Sequence, residues 1–222
     1  MEWLHGTADD ARVAANGRLE FRVGSGSISV GRLIHPTGVR DELPPVPGLA
    51  ERWSHSVFHC SYCHGYEMDL GPIGIIAESP LALHYALMLP DWGSPTLFLN
   101  GTYTPSDDDL VAIARRGMQV ETALIARTGG IVDVVMQDGR TLTMHGLVTQ
   151  PRTPLASPIA KQLGCALEDG PMGSFIKVDE GKATSVHNMF ACGDAARAAW
   201  NMTLAVADGA MTGFGAHRGS MI

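Results

Sequence analysis

Apolar and polar residues alternate along Leu19-Glu20-Phe21-Arg22-Val23 and again along Ser27-Ile28-Ser29-Val30, with Gly24-Ser25-Gly26 between them. Period-two alternation puts every second side chain on one face of a strand, and a glycine-containing break of this length predicts a β-hairpin. Arg32-Leu33-Ile34-His35 follows as a short apolar strand stopped at Pro36-Thr37-Gly38. The same order recurs downstream. Residues 131–136 turn at Asp138-Gly139 into Thr141-Leu142-Thr143, and Leu147-Val148-Thr149-Gln150 ends at Pro151. This repetition predicts two regions of related architecture.

Between the copies the pattern changes to short apolar runs alternating with helix-like stretches. Pro72-Ile73-Gly74-Ile75-Ile76-Ala77 predicts a buried strand, and Ser79-Pro80 supplies a cap and first turn for a helix over residues 81–89. Thr96-Leu97-Phe98-Leu99 predicts a second strand. Ser106 with Asp107-Asp108-Asp109 opens a second helix with acids at its positive end, Gly117 closes it, and Met118-Gln119-Val120-Glu121 gives a third strand. Strands and helices alternating at this spacing predict a parallel, doubly wound α/β sheet. Beyond Pro151 the pattern predicts a helix opened by Ser157-Pro158 and closed near Gly164. A strand at Phe175-Ile176-Lys177-Val178, another ending at Cys192-Gly193-Asp194, and an Ala-rich helix over residues 203–217 complete it. Pro44-Pro45-Val46-Pro47-Gly48 and residues 149–154 read as linkers, setting a middle domain at 44–151 between flanking segments 1–43 and 152–222.

The 222 residues, 45% apolar and 18% charged, are enough for one or two domains with real cores. A net charge of −7, with scattered Arg and only Lys161, Lys177 and Lys182 as lysines, offers neither a nucleic-acid patch nor a polybasic membrane segment. No apolar run approaches the roughly 18 residues of a membrane span, and MEWLHGTADD has no secretory pattern. A reducing cytoplasmic setting is the expectation, in which four cysteines read as core, metal or redox residues before structural disulfides.

The sharpest local feature is His59-Cys60-Ser61-Tyr62-Cys63-His64-Gly65-Tyr66-Glu67. Cys-x-x-Cys brings two sulfurs within bonding reach across one turn, and a neighbouring imidazole can lower a thiol pKa or move a proton. A redox dithiol is one reading. Zinc held by Cys60, Cys63 and a flanking His is a second, with no further ligand pair to close a tetrahedron. Cys60-Ser61-Tyr62-Cys63-His64 also matches the haem-attachment pattern, and two buried core cysteines are the bland alternative. Cys165 and Cys192 read as small buried residues.

Four motifs in order carry a family resemblance: Thr37-Gly38-Val39-Arg40 after a strand, Pro47-Gly48, the dithiol segment, and Cys192-Gly193-Asp194-Ala195-Ala196 before the last helix. Together they resemble the low-molecular-weight thioredoxin-reductase family of flavoproteins, closest to the branch that includes the dithiol oxidases of gliotoxin and holomycin biosynthesis. The resemblance implies two Rossmann-like domains, an FAD-binding type in two pieces with an NAD(P)-binding type inserted in it. Thr37, Gly38, Gly193, Asp194 and Ala195 then fall at the flavin, with the Asp side chain on a ribityl hydroxyl and the following helix aimed at the cofactor. Asp194 capping that helix is the structural alternative. Cys63 would face the flavin, Cys60 would exchange with the partner, and His64 would serve as acid/base, against the reading of His64 as an exposed polar residue. The implied partner is a small dithiol or disulfide, or a thioredoxin-like protein, and the family implies a homodimer.

Two departures qualify this. The turn after the first inserted-domain strand reads Ala77-Glu78-Ser79-Pro80-Leu81-Ala82 where a nicotinamide site needs G-x-G-x-x-G, so NADP binding is expected to be weak or absent. The chain also begins after the place of the family's opening βαβ unit. The FAD domain is therefore expected to be truncated at its N-terminus, with weakened FAD binding. The alternative function is a flavin-free, dithiol-bearing interaction module of the same fold.

Overall fold

A computed structural model describes residues 2–199, 201–219 and 221. It falls into two units, Met1–Asp41 with Arg152–Ile222, and Glu42–Pro151. In the first, β1 (Ala8–Val13), β2 (Leu19–Val23) and β3 (Gly26–Val30) form an antiparallel meander. The β2–β3 pair is the hairpin that the alternation predicts, with Val23 opposite Gly26. The pattern does not predict β1. Its register shifts between Asp9 and Arg12, and charge holds it in place: Arg22 meets Asp9 at 3.0 Å and Asp10 at 2.7 Å. The strand β4 (Leu33–His35) then leaves the meander.

The second unit opens with β5 (Val57–Phe58) and the short helix α1 (Ser61–His64). It continues through β6 (Pro72–Ile76), α2 (Ala82–Met88), β7 (Ser94–Phe98), α3 (Asp107–Arg115) and β8 (Gln119–Glu121). A second meander, β9 (Ile125–Gly129), β10 (Asp133–Met136) and β11 (Thr141–Thr143), leads to β12 (Gly146–Thr149). Strands β5, β12, β6, β7 and β8 lie in that order in one sheet, every pair parallel.

Both faces of this sheet are covered, so β6 reads as a continuous apolar run. Ile73 and Ile75 pack with Tyr85, Leu89 and Ile113 on the helical side. Ile76, Phe98 and Leu147 pack with Val134 and Met136 of the meander on the other. Ser79 accepts from the Leu81 amide at 3.2 Å, and the tight turn through Pro80 delays the regular helix to Ala82. Ser106 and Asp109 cap α3 reciprocally.

The chain returns to the first unit as α4 (Ile159–Gln162), the hairpin β13 (Leu167–Gly170) and β14 (Gly173–Ile176), β15 (Met189–Ala191) and α5 (Met202–Arg218). Strand β15 pairs parallel with β4, Ala191 opposite His35. Leu19, Ile159, Ala160, Ile176 and Met189 form the core of this unit. The repeat is thus physical: each unit has a three-stranded meander followed by a short strand that pairs in parallel with a distant one. Among the described residues no helix is long and apolar enough to cross a membrane.

In α5, Asp208 is buried and takes Arg197 at 2.6 Å and Lys182 at 2.7 Å. The hydrogen bond from Arg197 is the main cause that lowers its carboxyl pKa to about 2. A depressed carboxylate contributes stability that is complete above the unfolded-state value near 4 and is lost as pH falls toward the folded value. Urea unfolding between pH 5 and 2 should show a loss of roughly 2.5 kcal/mol from this group. The Asp208→Asn variant should lack that part of the acid limb.

Candidate functional site

Strand β5 is only two residues long, and pairing with β12 (Val57 opposite Leu147, Phe58 opposite Val148) fixes its direction. The chain therefore delivers His59 and Cys60 to the carboxyl edge of the parallel sheet. Cys60 is extended and caps α1, and its carbonyl accepts from the Cys63 amide at 3.3 Å. One turn of helix leaves the two Cα atoms 5.3 Å apart, and the sulfurs are joined as a disulfide. Ser61 points inward, its hydroxyl 3.8 Å from the Met88 sulfur, while Cys63 is exposed and Cys60 half-buried. Cys165 and Cys192 are free and buried, and burial raises the Cys165 thiol pKa.

The support for this turn comes from aromatic residues that the motif does not announce. The Tyr85 hydroxyl of α2 donates to the His59 carbonyl at 2.5 Å, and burial raises its pKa. Gly65 sits against the Trp92 indole with no room for a Cβ. Trp92 in turn meets Tyr62 edge-on, centroids 5.1 Å apart. The His64 ring stacks on Phe58 at 4.0 Å and 12°, with Nδ1 buried and without a hydrogen-bond partner. The helical spacing of Ala82, Tyr85, Ala86 and Leu89 marks these residues as core, but nothing in it marks Tyr85 as a support for the dithiol.

The remaining sequence-predicted residues lie in the other unit. Parallel pairing of β4 with β15 ends both strands at one edge, so Thr37-Gly38 and Gly193-Asp194 emerge side by side. Gly38 (φ +68°) has nothing within 4 Å of a Cβ position, and Gly193 (φ +65°) has only Ala205 near it. Buried His35 holds the Thr37 hydroxyl at 3.0 Å, and burial lowers the His35 pKa, favouring the neutral ring. Gly193–Ala196 is a 3-10 turn with Ala195 buried, and α5 begins only at Met202. The Ala-rich helix predicted over residues 203–217 is α5, and its cap is Asn201, which accepts from the Leu204 amide, not Asp194. Gly38 with open space beside it and Gly193 with only Ala205 at ordinary contact distance leave the backbone open to a planar or phosphate-bearing group, which fits a flavin.

The β6–α2 turn does not fit a dinucleotide. Glu78 has Oε1 buried without a partner, and burial raises its carboxyl pKa. Pro80 supplies no amide, and the Thr102 hydroxyl closes on the Ala77 carbonyl. Asn100 (φ +46°) accepts from the Ile125 amide at 2.9 Å. Arg116, at the C-cap of α3, is held by Asp91 at 2.8 Å and by the Leu87 carbonyl.

Parallel α/β units with a dithiol at the sheet edge define the class of Rossmann-type disulfide oxidoreductase folds. No family model matches the sequence. An oxidoreductase from Agrobacterium tumefaciens is 49% identical, with a TM-score of 0.93 over 99% of this chain and 74% of its own. Thioredoxin reductase tcpT of Claviceps purpurea is 30% identical over 194 residues, 82% of this chain and 60% of its own. Thioredoxin reductase sirT of Leptosphaeria maculans is 29% identical over 202 residues, 83% of this chain and 61% of its own. The chain is thus similar to an oxidoreductase and to thioredoxin reductases, and it spans about three fifths of the length of these two curated relatives.

The Gly65–Trp92 contact leads to one expectation. Gly65→Ala should cost about 1–3 kcal/mol in denaturant unfolding, because neither the indole nor the Ser61 carbonyl on the other side can yield freely. An unchanged midpoint would refute the tight contact.

Proposed function

We propose that this chain exchanges disulfides through Cys60 and Cys63 as part of a flavin-dependent, thioredoxin reductase-like oxidoreductase. The observation that carries the reading is the Cys60–Cys63 disulfide on an accessible turn, backed by buried Tyr85 and half-buried Trp92 and Phe58. On this reading the unit Met1–Asp41 with Arg152–Ile222 is the flavin-type domain, and Glu42–Pro151 is the nucleotide-type domain carrying the dithiol. Thr37, Gly38, Gly193, Asp194 and Ala195 would hold FAD, which when bound supplies a two-electron donor or acceptor for the dithiol.

In the reducing direction the Cys60 thiolate attacks one sulfur of a substrate disulfide, forming a mixed disulfide and releasing the first substrate thiolate. The Cys63 thiolate then attacks Cys60, re-forming the Cys60–Cys63 bond and releasing the second. Two electrons pass to the substrate. The reverse sequence oxidises a substrate dithiol. His64, directly after Cys63 and oriented by its stack on Phe58, gives or takes the thiol proton. A thioredoxin-like protein is the substrate that the names of the relatives support, and a small dithiol or disulfide is the alternative. The Glu78 turn gives the nicotinamide no phosphate site, so no step is assigned to it.

The purified chain incubated with FAD should acquire a flavin spectrum that dithiothreitol bleaches. Cys60→Ser or Cys63→Ser should slow dithiothreitol oxidation by about 10³-fold or more, and NADPH should not bleach the flavin at a comparable rate. Failure of FAD to bind, or wild-type turnover in both serine variants, would overturn the proposal.

His64→Gln should lower the exchange rate by roughly 10²-fold and remove the imidazole limb from the pH–rate profile. An unchanged profile would reassign the proton transfer to solvent.

A further inference from the structure

Residues 152–155 run across the turn between β13 and β14 and, with Lys161 of α4 and residues 172–174, line a cavity of about 190 Å³. All of these residues belong to one unit. The crossing is fixed by the backbone: the Thr153 amide donates to the Met172 carbonyl at 2.7 Å, and its hydroxyl donates to the same oxygen at 3.1 Å. Gly173 lies so close that a Cβ there would come within 2.8 Å of the Thr153 carbonyl oxygen. Buried Thr153 therefore anchors Arg152 at the cavity wall by backbone rather than by side-chain packing.

Arg152 and Lys161 are the charged residues that line the cavity. The acids of the neighbouring hairpin are already engaged, Glu168 by Lys177 at 2.9 Å and Asp169 by the Ser174 hydroxyl at 2.8 Å. Among the described residues, Arg152 and Lys161 have no carboxylate partner. In a chain with 23 acidic and 16 basic groups, two cations on one concave surface offer a place for an anion.

We propose that this cavity binds a small phosphate monoester. Arg152 would present its planar fork to two phosphate oxygens, and Lys161 would supply a point charge to the third. Two cations balance a dianion, whereas a monocarboxylate would leave one uncompensated. A water molecule takes about 30 Å³ of liquid, so the cavity has the room of roughly six waters, enough for the phosphate and a short organic stem. The bound anion would tie α4 to segment 152–155 and to the start of β14. Nothing in this proposal depends on the redox reading.

The test is an amide NMR titration of the whole chain with inorganic phosphate and with glycerol 3-phosphate at constant ionic strength. Expected are saturable shifts concentrated at Arg152, Thr153, Leu155, Lys161 and 172–174, with the ester binding at least as tightly as phosphate. Acetate should bind at least tenfold more weakly. Arg152→Ala and Lys161→Ala should each weaken binding about tenfold, and Arg115→Ala, on a different unit, should not change it. Both cations are exposed, so these variants should keep the wild-type spectrum elsewhere. Shifts scattered over other arginines, equal binding of acetate, or affinity unchanged by both cavity variants would overturn the proposal.

Discussion

Parallel pairing between strands distant in sequence is the constraint on which the functional geometry rests. Two parallel strands place their carboxyl ends at the same edge, whatever length of chain separates them. In one unit β15 lies beside β4 and brings Gly193-Asp194 next to Thr37-Gly38. In the other, β12 lies between β5 and β6 and holds the two-residue β5 in register, so that His59 and Cys60 leave from the same edge as Glu78. Loss of the β5–β12 pairing would leave the dithiol turn with only its aromatic supports.

Those supports divide the cysteines into two kinds. Cys60 and Cys63 sit on a turn that is rigid on its inner side, where Ser61 is buried, and open on its outer side, where Cys63 and Tyr62 are exposed. Cys165 lies under the core with its sulfur 3.3 Å from the Met189 sulfur and its thiol pKa raised by burial, an environment that disfavours the thiolate. Thiol chemistry needs both a thiolate and access, and only the Cys-x-x-Cys turn provides access. A free, low-dielectric core around the other two cysteines protects them without any further device.

Much of this was legible in the sequence because it rests on local signals. The β2–β3 hairpin, the capping box of α3, the buried run of β6 and the dithiol each declare themselves within a few residues. What escaped depends on partners far away. Strand β1 carries Asp9 and Asp10 in place of an apolar alternation, and Arg22 across the sheet compensates for them. In β13, Glu168 and Asp169 face solvent with their own polar partners, which leaves almost no apolar pattern to read. The two residues of β5 are too few for any periodicity. Tyr85 and Trp92 meet the dithiol segment only after the sheet has formed, and Asp208 finds Arg197 and Lys182 only when α5 is in place.

The division between one accessible dithiol and two protected thiols is tested most directly by timed alkylation of the reduced native chain, read cysteine by cysteine in the mass spectrometer. The account predicts that Cys60 and Cys63 are both labelled in the folded chain, that Cys165 and Cys192 are labelled only on unfolding, and that withdrawal of reductant restores the Cys60–Cys63 bond. Labelling of Cys165 or Cys192 at the rate of Cys63 in the folded chain, or failure of that bond to re-form, would contradict it.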